Sequence, residues 1–434
     1  MRTNGSLQLF PLLRIALALV VGILVGDAAI IALPSFFWLV FFLVFLFAAF
    51  AVGRSRMWQS MLLLCSTLLL GVWLVSAEKE RTERAVYGES LYRAVVVSHP
   101  VVKGKVLQCD LLLASGTMAN RRVKAAILRD TVGKRYLRLG LGDGVVARSV
   151  LEKPVNVYPR SHFDYARWLT IHGYTARTFI YYRNWHKASV SLNGLSRMER
   201  LRLRSLHLRE KLLAYFGRVG LEEQEFAVAA AMSLGDKSRL SRSTKEHFSL
   251  AGASHLLALS GLHLGILYFM LTLLFLGLKR HVLVQALILT AIWTYVVLVG
   301  MSPSVLRAAT MLTVYAFAAL LNRQQMSVNA LSMAAIVLLI SNPYMLWDVG
   351  FQMSFMAVLG ILLFYSPIYG WVNKRFLYAS RLRPLWSMAA VSMAAQITTA
   401  PLVMYYFGNF SCYFLLTNLF AIPLATLVLY ISVG

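Results

Sequence analysis

The sequence predicts a polytopic α-helical membrane protein with a small all-β, OB-like domain inserted between two groups of transmembrane helices. Three observations predict it. The 434-residue chain is 59% hydrophobic and only 14% charged, against roughly 25% charged residues in soluble domains. Apolar runs long enough to cross about 30 Å of hydrocarbon recur along it. Between two sets of such runs the pattern shortens to strand-length alternation.

The first set covers residues 9–29, 34–52 and 57–76 within an N-terminal segment 1–76. Arg2 and Arg14 precede or enter the first run, as in a signal peptide. The second run follows almost at once, as in a helix pair, so the segment is expected to be retained. The second set covers 253–278, 282–300, 304–321, 327–340, 350–365, 385–406 and 410–433, giving about ten crossings in all. The run 327–340 is short, which suits a tilted, buried or re-entrant segment. The last run ends with the chain at 431–434, without a polar flank, as if the sequence continued.

Lys and Arg of short loops favour the cytoplasm. Arg54 and Arg56 separate the second and third runs, while the loop at Pro34 has no basic residue. In the second set Lys279 and Arg280, then Arg323, then Lys374, Arg375, Arg381 and Arg383 occupy alternate loops. The intervening loops, 301–303, 342–348 and 407–409, carry none. Both patterns predict a cytoplasmic N-terminus and an extracytoplasmic polar region.

In that region, domain 77–190, five strands are expected at 91–97, 105–113, 122–129, 144–151 and 174–182, with a helix at 163–172. Turn signals such as Lys103-Gly104, Ser115-Gly116 and Val132-Gly133 separate them. Five short strands and a helix suit a small barrel such as the OB-fold. Lys and Arg outnumber Asp and Glu about three to one over 91–182, most densely at Arg121, Arg122, Lys124, Arg129, Lys134, Arg135 and Arg138. Such a surface can hold a single strand, with bases stacked on Tyr92, Tyr136, Phe179, Tyr181 or Tyr182. It can equally keep the domain soluble or bind anionic headgroups. Within 191–252, residues 195–219 form a basic amphipathic pattern. That helix either lies in the membrane interface or packs on the rest of the protein.

No strong catalytic constellation is present. There is no phosphate-binding glycine loop and no His-rich metal motif, so ATP hydrolysis, a metal site and any cofactor are not expected. Cys65, Cys109 and Cys412 are too few and scattered for a disulfide framework. The concentrated polar cluster is SHLLALSGLHL at 254–264. If helical, it puts His255 and His263 on one face, with Ser260 in reach of His263. A Ser–His pair can be nucleophile and base, but no neighbouring carboxylate orients it. Lining of a wet cavity and interhelical hydrogen bonding are the other readings. Arg307, Gln352, Ser354, Gln396, Thr398, Thr399 and Asn418 are costly against lipid and should face the bundle interior, near Pro303, Pro401 and Pro423. They suggest a polar path through the second group, with the first three helices as scaffold.

The 254–264 string, preceded by Gly235-Asp236-Lys237-Ser238, resembles the signature of the ComEC family of competence proteins. So do PSVLRAATM (303–311), DVGFQMSFMAVLGIL (348–362), the stretch 395–423, and FDYARWLTIHGY (163–174) at the end of the polar domain. The resemblance places Asp236, His255, Ser260, Gly261, His263, Arg307, Gln352, Gln396 and Asn418 in family motifs. It implies a channel of the bacterial cytoplasmic membrane that admits one DNA strand in natural transformation. The partners it implies are single-stranded DNA, a DNA-receptor protein outside and a DNA-translocating ATPase in the cytoplasm. Many relatives add a C-terminal metallo-β-lactamase-like domain thought to degrade the other strand. Nothing here matches its metal motif, so the chain is not expected to be an enzyme. Some relatives have a disulfide in the OB-like domain, where this sequence has Cys109 alone.

Overall fold

The computed structural model describes residues 10–28, 33–52, 55–156, 164–191, 195–217, 222–275, 281–321, 327–372, 382–408 and 410–433. Arg2, Arg54, Phe163, Lys279, Arg280, Arg323, Lys374, Arg375, Arg381 and Gly434 lie outside them.

Each predicted apolar run forms a helix. The first group is α1 (Pro11–Ala28), α2 (Ser35–Ala51) and α3 (Arg56–Glu83). The second is α8 (Gly261–Leu274), α9 (His281–Leu298), α10 (Pro303–Leu320), α11 (Val328–Ser341), α12 (Val349–Tyr369), α13 (Arg383–Phe407) and α14 (Phe414–Val433). Among the described residues seven of these are long and apolar enough to cross a membrane. Ser35–Ala51, Gly261–Leu274 and Val328–Ser341 are shorter apolar helices. The chain is thus a mostly helical protein with the helices of a membrane bundle.

α1 crosses α3 backbone to backbone. A Cβ added at Gly22 would lie 2.0 Å from the Leu68 carbonyl oxygen, and one at Gly71 would lie 2.6 Å from that of Leu19. Small residues four apart, Gly22 and Gly26, permit this approach. α3 runs past the expected end at 76 because its last turns are polar but well paired. Glu80 accepts from the Ser35 amide at 2.5 Å and its hydroxyl at 2.9 Å, at the N-terminus of α2. Arg84 lies 3.5 Å from the same carboxylate.

The inserted domain is a closed barrel. Strands β1 (Gly88–Val96), β3 (Val106–Leu113), β4 (Arg122–Leu128), β5 (Gly144–Glu152) and β6 (Tyr174–Ile180) follow the predicted ones. Short β2 (Val101–Lys103) and β7 (Trp185–Lys187) extend it at β3 and β5. The order is β1-β3-β4-β6-β5, closed by β5 on β1, with β4 and β6 parallel and the other pairs antiparallel. This is a five-stranded, OB-like Greek-key barrel. Period-two alternation sends Val123, Ala125 and Ile127 of β4 into a core shared with Tyr92, Leu111 and Ile180. Tyr92 meets Ser149 at 2.7 Å, and Ser149 meets Thr178 at 2.6 Å, so the polar groups of the core are satisfied. Cys109 is a buried free thiol of this core, pushed up to about 12 chiefly by burial.

Helix α4 (Tyr165–Ile171) falls between β5 and β6. Asp164 caps it by accepting from the Arg167 amide at 2.9 Å. Helices α5 (Arg197–Phe216), α6 (Glu223–Leu234) and α7 (Arg242–Leu250) lead to the second group. One face of α5 is not free to enter lipid: Leu203 and Leu206, with Leu195, pack on Val95, Val97, Leu112 and Leu141 of the barrel. Of the two readings of the amphipathic segment, this face fulfils packing on the protein.

Candidate functional site

The densest basic stretch divides into two parts. Arg122 pairs with Glu199 of α5. Lys124 donates to Asp110 at 2.6 Å, and the Tyr174 hydroxyl donates to the other oxygen of that carboxylate at 2.8 Å. Arg202 of α5 is buried near these groups. The expectation that Arg122 and Lys124 are open to a polyanion is therefore corrected: α5 covers this part of the β3–β4 face, and carboxylates neutralise both cations. Arg129 donates to the Gly104 carbonyl at 2.8 Å and the Tyr136 hydroxyl at 2.9 Å, closing the end of the barrel. Arg135 reaches Asp130 and the Tyr182 carbonyl. Arg121 donates to the Arg81 carbonyl at 3.3 Å. Lys134 and Arg138 are exposed, and their side chains have no partner among the described residues.

The aromatic candidates also divide. Tyr92 and Tyr136 are core residues. Phe179 and Tyr181 stand outward on and just beyond β6, 44% and 58% exposed, with ring centroids 5.2 Å apart. On β5, Val150 and Arg148 also face outward, Arg148 being paired with Glu89 at 3.0 Å, and Arg183 is exposed beyond Tyr181. Sequence alternation alone could have separated inward Tyr92 from outward Phe179 and Tyr181, since successive strand residues face opposite sides.

The barrel is joined to the helices through α4. Arg167 pairs with Asp27 at the end of α1, and its guanidinium lies 4.0 Å over the Trp347 ring. Lys79 of α3 donates to the Gly26 and Asp27 carbonyls at 3.0 and 2.7 Å, where a cation suits a helix C-terminus. Ile171 is buried among Leu19, Val75, Leu338 and Phe351. The Asn342 amide donates to the Ile171 carbonyl at 3.1 Å. His172 Nε2 lies 3.7 Å from Asp348, whose other oxygen faces Arg307 at 3.4 Å and accepts from the Phe351 amide at 2.8 Å. Asp348, which joins the barrel to the bundle through these contacts, is the residue that sequence reasoning passed over. It stood in the quoted family string, beside Gln352, without an assigned partner.

The 254–264 string is not one helix. Residues 251–260 are irregular, and α8 begins at Gly261. The conditional expectation that helical spacing aligns His255 with His263 is thus overturned: His255 is exposed in the irregular segment, and His263 is buried in α8. Ser260 and His263 do meet, but as the N-terminal cap of α8, Oγ to Nδ1 at 2.9 Å. The Ser304 hydroxyl donates to the Leu259 carbonyl at 2.7 Å, so α10 joins this string to the Arg307–Asp348 pair. Gly261 faces Ala308 of the same helix. Gln352 donates to the Leu346 carbonyl and accepts from the Tyr406 hydroxyl, each at 2.9 Å. Gln396 and Asn418 are not brought into this network, and Asn418 Oδ1 is buried without a hydrogen-bond partner. A cavity of about 10 Å³ adjoins His263, and an apolar cleft of about 490 Å³ lies between α13 and α14, with Val372 at its edge.

Asp236 is buried in the turn after α6. Burial pushes its carboxyl up, but hydrogen bonds from the Ser238 hydroxyl (2.7 Å) and amide (3.0 Å), then Arg209 and His99, outweigh this and hold it below its ordinary value. Its folded value being depressed, its stabilisation is complete above 3.8 and is lost as pH falls through the lower folded value. Replacing Asp236 by Asn is therefore expected to lower the thermal midpoint at pH 7 and to flatten its fall below pH 4. A midpoint difference unchanged between pH 7 and pH 3 would refute the linkage.

Residues 232–433 match the family described as Competence protein. The chain is 27% identical over 368 residues to ComE operon protein 3 of Bacillus subtilis, covering 83% of this chain and 44% of that protein. It is 25% identical over 213 residues to Recombination protein 2 of Haemophilus influenzae, covering 46% and 26%. An uncharacterized protein of Aquifex aeolicus is 28% identical over 200 residues, covering 45% and 44%. The chain thus spans less than half the length of these curated relatives. No solved structure matches it. The competence-type segment, which includes α8 to α14, and the similarity to ComE operon protein 3 over most of the rest together support a ComEC-family competence protein.

Proposed function

We propose that this chain carries a single strand of DNA across the bacterial cytoplasmic membrane during natural transformation. The barrel receives the strand on the outer side, and the second helix group conducts it. The observation that carries this reading is the outward face of β6, where exposed Phe179 and Tyr181 meet edge to face and exposed Arg183 follows two residues on, in a chain whose bundle is of competence type. Bases of any sequence stack on aromatic rings while cations track the phosphates. Lys134 and Arg138, uncommitted at the barrel rim, add to the attraction. Within the helices, neutral Gln352, Gln396 and Asn418 suit passage without stalling. A receptor outside and a translocating ATPase inside complete the route.

The chain acts as a conduit rather than a catalyst. Ser260 and His263 are spent on capping α8, and His263 Nε2 has no hydrogen-bond partner among the described residues to orient it. Ser260→Ala is accordingly expected to retain much of the transformation frequency in a deletion strain. Complete loss with normal protein levels would favour an intramembrane hydrolase instead.

The direct test is binding of a fluorescent oligo(dT) to the full chain in nanodiscs across a salt series. Affinity should fall log-linearly with salt, with a slope of about −0.7 per neutralised phosphate. No binding at low salt would remove the barrel's role, and a salt-independent affinity would point to a different ligand.

A further inference from the structure

Asp348 makes three contacts that no single structural role requires. One oxygen caps α12 through the Phe351 amide at 2.8 Å and faces Arg307 of α10 at 3.4 Å. The other lies 3.7 Å from His172 Nε2, at the end of the barrel's α4. His172 Nδ1 is 2.8 Å from the Trp168 carbonyl, which can only accept, so Nδ1 carries a proton. Nε2 is then protonated only in the imidazolium, and only that form is attracted to Asp348. The charged groups around His172 are Asp348 and, behind it, Arg307 from the bundle, with Arg167 on its own helix and Asp27 and Lys79 beyond that. Arg307 is itself weakly held: it is 6% exposed, its Nε has no hydrogen-bond partner among the described residues, and its pair distance is long. Gly350 leaves its guanidinium room, since a Cβ there would lie 2.7 Å from Nη2.

We propose that Arg307 of the bundle and His172 of the barrel compete for Asp348, so that drawing Arg307 away leaves the carboxylate to pair with His172, which takes up a proton from solvent, and tightens the barrel on the helices. Resting on the function proposed above, the natural competitor is a phosphodiester of the passing strand, which takes Arg307 by charge-assisted hydrogen bonds. The coupling is reciprocal: a charged His172 loosens Arg307 for the phosphate. Entry of a strand into the bundle and grip by the barrel then reinforce each other.

The Trp168 ring stacks on His172 at 4.2 Å and reports its protonation through quenching. The experiment is a pH titration of the full chain in nanodiscs, reading the emission difference between each protein and its Trp168→Phe counterpart. 13C-histidine NMR, assigned with His172→Gln, is the second readout. Relative to the wild type, Arg307→Gln is expected to raise the His172 midpoint and Asp348→Asn to lower it. Arg307→Met, which also removes the charge, should raise it as well and serves if Arg307→Gln does not fold. Midpoints that coincide with the wild type in Arg307→Gln and Arg307→Met overturn the competition. Oligo(dT) should raise the midpoint in the wild type but not in Arg307→Gln. Binding without a shift overturns the response to the strand. Absence of binding overturns the DNA reading, while the comparison of variants still decides the competition.

Discussion

Replacing Asp348 by Ala is expected to destabilise the chain by about 3–5 kcal/mol, the range for breaking a buried ion pair, and to abolish transformation. The side chains of Arg307 and Asp348 are 7% and 11% exposed, so the substitution strands a guanidinium away from water. It also deletes the cap of α12, worth about 1 kcal/mol, and the contact with the barrel at His172. Asp348→Asn keeps an oxygen for the Phe351 amide and should cost less. Thermal unfolding in detergent, followed by near-ultraviolet circular dichroism, ranks the three proteins. A wild-type midpoint for Asp348→Ala would show that Arg307 finds another partner at no cost.

The second large effect lies on the barrel. Changing Phe179 and Tyr181 together to Ala should weaken oligo(dT) binding by roughly 30-fold or more, at about 1–3 kcal/mol for each of two stacked bases. The salt slope should stay the same, because every phosphate keeps its cation. Lys134→Ala with Arg138→Ala should instead reduce the slope by about 0.7 for each phosphate left without one. Anisotropy at four salt concentrations separates the two. An equal fall in slope for both pairs would mean that the aromatic rings act only by supporting the cations.

Much of the architecture was legible because its signals are local. The apolar run 57–76 is as plain in the sequence as the helix it forms. Alternating Val123, Ala125 and Ile127 announce a strand without reference to its neighbours. Closure of β5 on β1 and the parallel pairing of β4 with β6 rest on contacts between residues distant in sequence, so no window of sequence shows them. For the same reason charge density misled at Arg122 and Lys124. Their partners, Glu199 and Asp110, are 77 and 14 residues away. At 254–264 the reading of one continuous helix missed the break before Gly261. There Ser260 stops the irregular segment and starts α8, the double duty that a capping serine performs. Asp348 stayed without a partner because Arg307 and His172 approach it from two different elements.

The glycine crossing of α1 on α3 bears on alignment. Asp27 follows Gly26 directly, so the tolerance within which its carboxylate is located is that of two backbones in contact, not of flexible side chains. A methyl group at Gly22 or Gly26 would spread the helices and shift the anchor that Arg167 must find. Such a lesion would be buried among apolar residues and leave every charge in place. It would nonetheless surface as a barrel seated askew over the bundle it serves. The first two crossing helices are in this sense a datum, and errors there are inherited by everything aligned to it.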